Sequence, residues 1–135
     1  MRLPSITLLL LSACMTAGGV PLAGTEWDLV ELNGQPSIRV SGERRPHIRF
    51  EDESRLSGSG GCNRFSGPYE RSGSQLRVTG PVISTKMACA DRSLNAQETA
   101  FLGSLDRVAT YTVSGRTLTF YAQDGTEIAE LTSVE

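Results

Sequence analysis

From Thr25 onward the chain alternates short apolar runs with turn pairs at close intervals, a pattern that predicts a meander of β-hairpins. Trp27 and Leu29 share one face of a first strand that ends at Asn33-Gly34, a strong hairpin-turn pair. Ile48 and Phe50 alternate with His47, Arg49 and Glu51, and Leu56 follows the acidic turn Glu51-Asp52-Glu53, so these two segments are expected to pair. A further strand around Tyr69 runs into Ser72-Gly73 and returns through Leu76 and Val78, with Gln75, Arg77 and Thr79 turned the other way. Gly80-Pro81 closes that unit, and Val82 to Ser84 opens another extended stretch. Val108–Val113, Leu118–Tyr121 and Glu127–Leu131, separated by Ser114-Gly115 and Asp124-Gly125, predict a closing three-stranded meander.

One segment has helical period. Leu94, Phe101, Leu102 and Leu105 fall within a stripe, Asn95 and Glu98 have the spacing of a capping box, and Asp91 or Ser93 offers an earlier cap. The expectation is a helix near 93–106, too short to span a membrane and suited to packing against an open sheet or barrel mouth. The fold class is therefore mainly β with minor α: an antiparallel β-meander forming a partly closed sheet or barrel of about 8 strands with one α-helix. The segments YERSGSQL (69–76) and YTVSGRTL (111–118) are alike, which shared turn chemistry accounts for without a duplication.

The first residues change the picture. Arg2 supplies a positive start, Leu8–Leu11 close an apolar stretch, and Ser12 and Ala13 precede Cys14, an order that matches a bacterial lipobox. On this reading residues 1–13 are a lipoprotein signal peptide, Cys14 is lipidated, 14–24 form a flexible tether, and 25–135 form the β domain. Each buried methylene of the acyl chains adds about 0.8 kcal/mol of membrane affinity, which makes the membrane the expected partner. Met15 in place of an Asp would, in a Gram-negative cell, direct the protein to the outer membrane, facing the periplasm.

Composition narrows the function. The sequence has 13 Lys plus Arg against 15 Asp plus Glu, a net charge of -2, which disfavours a nucleic-acid partner that would need a clustered basic face. Some 135 residues with 39% hydrophobic content suffice for one core, so no cofactor is needed to fold, and a monomer is expected. Export makes a disulfide the default for the remaining cysteines, Cys62 and Cys89, worth about 3 kcal/mol in the chain-entropy model. A reactive or metal-binding pair is the sharper alternative, but no His is near either in sequence and neither sits in a CxxC arrangement. No metal ligands and no catalytic residues are assigned. His47 is the sole histidine, no GxSxG or HExxH is present, and Glu51-Asp52-Glu53 lacks the spaced pattern of a calcium loop.

The densest run of special residues is GSGGCNRFSGPY, Gly58–Tyr69. Its glycines imply positive φ or close approach of another segment, and the missing Gly-Lys-Ser/Thr ending argues against a phosphate loop. GCNRFSGPY (61–69), ISTKMAC (83–89), and Glu98 with Phe101 and Leu105 resemble the META domain, the HslJ-like family of small bacterial envelope proteins; the opening GTEWDLVELNG and PHIRF are similar to its first two strands. The resemblance implies a β-rich domain with one helix, a bonded cysteine pair (here Cys62 and Cys89), lipoprotein or secreted forms, and links to heat shock, novobiocin resistance, motility or secretion. The polar insert Gln35–Arg45 is longer than the resemblance leads one to expect. The expected function is a non-enzymatic envelope lipoprotein serving stress response, assembly or secretion by contact with an envelope protein partner. Asn63, Arg64, Thr85, Lys86 and Met87 are the candidate contact residues, Lys86 being the sole lysine. The alternatives are a small-molecule or lipid carrier with an apolar barrel interior and an inhibitor of a cell-wall hydrolase.

Overall fold

The computed structural model describes Arg2 and residues 19–134; the expected leader and Cys14 therefore lie outside the described residues. Ten strands form one antiparallel sheet: β1 (Glu26–Leu32), β2 (Gln35–Pro36), β3 (His47–Phe50), β4 (Arg55–Ser59), β5 (Arg64–Ser72), β6 (Gln75–Val78), β7 (Ile83–Ser84), β8 (Thr110–Ser114), β9 (Thr117–Tyr121) and β10 (Glu127–Ser133). One α-helix, α1 (Arg92–Ser104), continues into a 3-10 turn at Leu105–Arg107. The order β10-β9-β8-β6-β5-β4-β3-β1 is closed by pairing of β10 with β1, Leu29 opposite Leu131 and Trp27 opposite Ser133, so eight strands make a barrel. β2 and β7 lie off that ring, on β1 and β5. Closure removes the free edges that an open sheet would expose.

Turn chemistry sets the hairpins. Asn33 and Gly34 both have positive φ (51° and 80°), the type I′ geometry that joins β1 to β2. Gly73 (φ 59°) and Gly115 (φ 60°) each occupy the first central position of a two-residue turn, the type II′ choice, which is why the two similar segments look alike. At Glu51-Asp52-Glu53 the Asp52 carboxylate accepts from the Ser54 and Arg55 N–H groups and from the Ser54 hydroxyl. These bonds hold its pKa below the ordinary aspartate value and fix the β3–β4 hairpin.

The interior is filled by side chains. Trp27, Ile48, Phe50, Leu56, Phe65, Tyr69, Leu118, Phe120 and Leu131 are each buried, and Phe50 meets Tyr69 edge-on with centroids 4.9 Å apart. A register shift in β1 between Leu29 and Glu31 lets Leu29 and Leu32 both face inward while Val30 is exposed. The weakest side of the ring is β6–β8, a single register pair, Gln75 with Thr110, flanked by Leu76 N–H to Ala109 C=O and Tyr111 N–H to Ser74 C=O. An open groove of about 1310 Å³ lies beside it, lined by Arg71, Arg77 and Arg107 as well as Glu53, Glu70 and Asp124.

The helix covers one end of the barrel, Phe101 stacking edge-on against Phe65 at 5.8 Å. Asp91 caps it by accepting from the Ser93 and Leu94 N–H groups; the alternative Asn95–Glu98 capping box does not form, because Glu98 points into the protein. Residues 20–24, assigned above to the tether, lie along the barrel instead: Leu22 is buried, Val20 N–H bonds to Gly115 C=O, and Gly24 N–H to Phe50 C=O. The insert 35–45 crosses toward α1, where Ile38 N–H donates to Gln97 Oε1 at 2.8 Å. It is pinned on return by Arg45, whose guanidinium pairs with Asp28 (2.7 Å) and Glu26. Burial alone would lower that guanidinium's pKa, but the Asp28 hydrogen bond and the two carboxylate charges outweigh it and raise it.

Candidate functional site

The glycine-rich turn between β4 and β5 passes directly beneath α1. A Cβ at Gly60 would stand 2.4 Å from the Glu98 side chain, and one at Gly61 (φ 122°) would stand 2.6 Å from Leu94. Glycine is thus required here by close approach of the helix, as the run Gly58–Tyr69 suggested. At Gly58 the same test places a Cβ 2.1 Å from the His47 carbonyl.

Glu98 uses that proximity. Its Oε2 accepts from the Cys62 N–H (2.8 Å) and the Asn63 N–H (2.7 Å), and its Oε1 accepts from Asn63 Nδ2 (2.6 Å). Asn63 passes the network on: its Oδ1 accepts from the Met87 N–H (2.7 Å) and the Thr85 hydroxyl (2.9 Å), and Nδ2 also donates to Met87 C=O (3.1 Å). Two buried polar side chains therefore bind three segments together, namely the glycine turn, α1 and the 85–87 stretch. A carboxylate is tolerated there because fixed N–H dipoles replace water around it.

Cys62 and Cys89 are bonded, with Cα atoms 5.7 Å apart, adding a covalent tie beside the polar one. The segment held down in this way carries exposed apolar groups: Ile83 is 71% and Met87 51% exposed, with Lys86 exposed between them. Across a cleft of about 610 Å³, lined by Glu43, Arg44, Ser59, Cys62, Arg64, Thr85 and Met87, stands Arg64, paired with Glu43 at 3.2 Å.

Four of the five candidate contact residues, Arg64, Thr85, Lys86 and Met87, thus share one exposed corner. Asn63 does not join them. It is 6% exposed with its amide fully engaged, so its place is to hold the corner together from within. Glu98 was missed as a site residue because its spacing from Asn95 suggested a cap. The signal that finds it is the stripe Leu94, Glu98, Phe101, Leu105, in which a lone acid occupies a core position. His47 is satisfied locally, Nδ1 lying 2.7 Å from the Arg45 carbonyl. The acidic turn is likewise committed to protein, Glu53 gripping Arg71 through both oxygens and Glu51 accepting from Ser57.

The family model that describes the META domain matches residues 20–135, nearly the whole of the described fold. The chain is a META-domain protein. Heat shock protein HslJ of Escherichia coli (strain K12) is 39% identical over 67 residues, a stretch covering 50% of this chain and 45% of that protein. This META domain therefore aligns with less than half the length of that relative. Its barrel also matches two NMR structures, each with a TM-score of 0.65. One is 28% identical, over 82% of this chain and 90% of the other; the second, from Burkholderia xenovorans, is 22% identical over 84% and 83%, and bears on the fold alone.

Proposed function

We propose that this META domain is a non-catalytic envelope module, held at the outer membrane by a lipid on Cys14, that binds a protein partner through the corner formed by Arg64, Thr85, Lys86 and Met87. The observation that carries the reading is the exposure of Ile83 and Met87 around Lys86 on a segment fixed by a disulfide and by Asn63. Exposed apolar side chains on a rigid base lose little conformational freedom on binding, which is what a contact surface requires. Two cations next to two apolar side chains suit an envelope protein segment that offers a carboxylate beside an apolar residue. The likeness to a heat shock protein supports a role in envelope stress or assembly. A barrel interior occupied by its own aromatic side chains favours surface binding over the carrier alternative. Among the described residues no helix is long and apolar enough to cross a membrane, so the lipid would supply the attachment.

The test places a photo-crosslinking residue at position 86 or 87 in the native host, with position 132 on β10 as the control. A discrete product from 86 and 87 that disappears with Ile83→Asp, and no such product from 132, is the expected result. Equal labelling from both faces, or none from 86 and 87, overturns the surface. Labelled palmitate entering the wild type and not Cys14→Ser tests the anchor separately.

A further inference from the structure

Beneath the exposed corner, the Sγ atoms of Cys62 and Cys89 and a carboxylate oxygen of Glu98 all lie within 4.8 Å of one another. We infer that reduction of the Cys62–Cys89 disulfide converts this cluster into a site for a thiophilic divalent cation, zinc being the best fit, with two thiolates and the Glu98 carboxylate as ligands. The chemistry is balanced by a dithiol reductant. Its two S–H groups pass two electrons and two protons to the Cys62–Cys89 bond and leave as a disulfide, and the cation then displaces the two thiol protons.

Three features of the geometry support it. A zinc site with Zn–S near ~2.3 Å and Zn–O near ~2.0 Å places ligand atoms roughly 3.5–4 Å apart, so the three donors need shift by only about an ångström. The cysteine Cα atoms are 5.7 Å apart, and bonds that do not depend on the disulfide hold the Cys62 N–H to Glu98 and, two residues before Cys89, Met87 to Asn63. Reduction therefore leaves Cys62 anchored and Cys89 two residues from the anchored Met87. The carboxylate also keeps room for a metal. Oε2 accepts two N–H groups and Oε1 one, so the carboxylate as a whole keeps a lone pair that no protein donor uses. The buried charge of Glu98 would be met by the metal directly, and the cleft lined by Cys62, Thr85 and Met87 would admit solvent to the fourth position.

The experiment uses the full chain in detergent, with Cys14→Ser in every arm so that Cys62 and Cys89 are the only thiols. Cobalt(II) and zinc(II) are titrated into the oxidised and the reduced protein. The expected result is one cobalt per reduced chain, with a thiolate charge-transfer band that zinc abolishes, and a rise in Tm on adding zinc to the reduced protein alone. Glu98→Gln is expected to weaken binding by about tenfold or more. Because that variant removes a core contact, X-ray absorption at the zinc edge of the otherwise wild-type protein gives an independent count, expected to be two sulfur and two oxygen or nitrogen donors. Absence of the thiolate band, binding of equal strength to the oxidised form, or a first shell without two sulfurs overturns the site.

Discussion

The barrel wall and the end covered by α1 are built on opposite principles. In the wall, most strands pair with a neighbour in the chain through turns of two to a few residues, and apolar side chains alternate inward. At the covered end, the decisive hydrogen bonds span 35 and 36 residues of sequence and run through a buried acid and a buried amide. The wall has many interchangeable contacts, whereas the end depends on a few that have no substitute. Deleting a side chain at the end should therefore cost more than its size suggests.

The largest effect is expected from Glu98→Ala. It strands the Cys62 and Asn63 N–H groups and one amide hydrogen of Asn63, for a loss of about 4 kcal/mol in urea unfolding. Hydrogen exchange should show the 85–89 stretch and the glycine turn losing protection before β8 and β9 do. Uniform loss over both regions would mean that the two are not energetically distinct.

Next comes the double variant Cys62→Ser, Cys89→Ser, expected to lose about 3 kcal/mol, since a bond across 27 residues restricts the unfolded chain. If the Glu98–Asn63 network holds the corner without sulfur, the folded double variant keeps its amide shifts at residues 85–87, and stability alone falls. Loss of those shifts would show that the disulfide positions the segment.

The same contrast explains what the sequence revealed. Hairpin turns such as Asn33-Gly34 and Ser114-Gly115 are local, so their glycine and asparagine content discloses the wall strand by strand. Closure between β1 and β10, about a hundred residues apart, leaves no local mark, so the pattern specified a partly closed sheet or barrel of about 8 strands without deciding between the two. The covered end was legible as composition, through its glycines and cysteines, but not as contacts. Glu98 has the spacing of a cap, and only tertiary packing shows that it is buried against the glycine turn instead. Leu22 was likewise hidden among glycines and a proline that signal a tether, although a single apolar residue suffices to dock that stretch.

A third test addresses the wall through pH. Burial, and then the nearby Glu53 carboxylate, push the Tyr69 phenol up to about 12, and its hydroxyl donates to the Asp52 carbonyl. A pKa raised on folding contributes stability that is complete below the unfolded value near 10 and is lost as pH rises toward 12. Unfolding at stepped alkaline pH should therefore show up to about 2 kcal/mol more loss between pH 10 and 12 in the wild type than in Tyr69→Phe. Parallel pH profiles for the two proteins would place the alkaline sensitivity elsewhere.

The smallest effect separates the two readings of the helix start, and so tests how the covered end is built. Asp91 accepts from the Ser93 and Leu94 N–H groups, which would otherwise lack partners in the first turn of α1, so Asp91→Ala should cost about 1 kcal/mol. Asn95 is exposed and lies a full turn inside the helix, where its N–H already donates to Asp91 C=O. Asn95→Ala should be neutral or slightly stabilising, because alanine has the higher helix propensity. Were Asn95 a cap in a box with Glu98, the order of the two effects would reverse, and Glu98 would be drawn away from the Cys62 and Asn63 N–H groups on which the whole corner rests. Urea midpoints for these two single variants, neither of which touches the core, are enough to decide it.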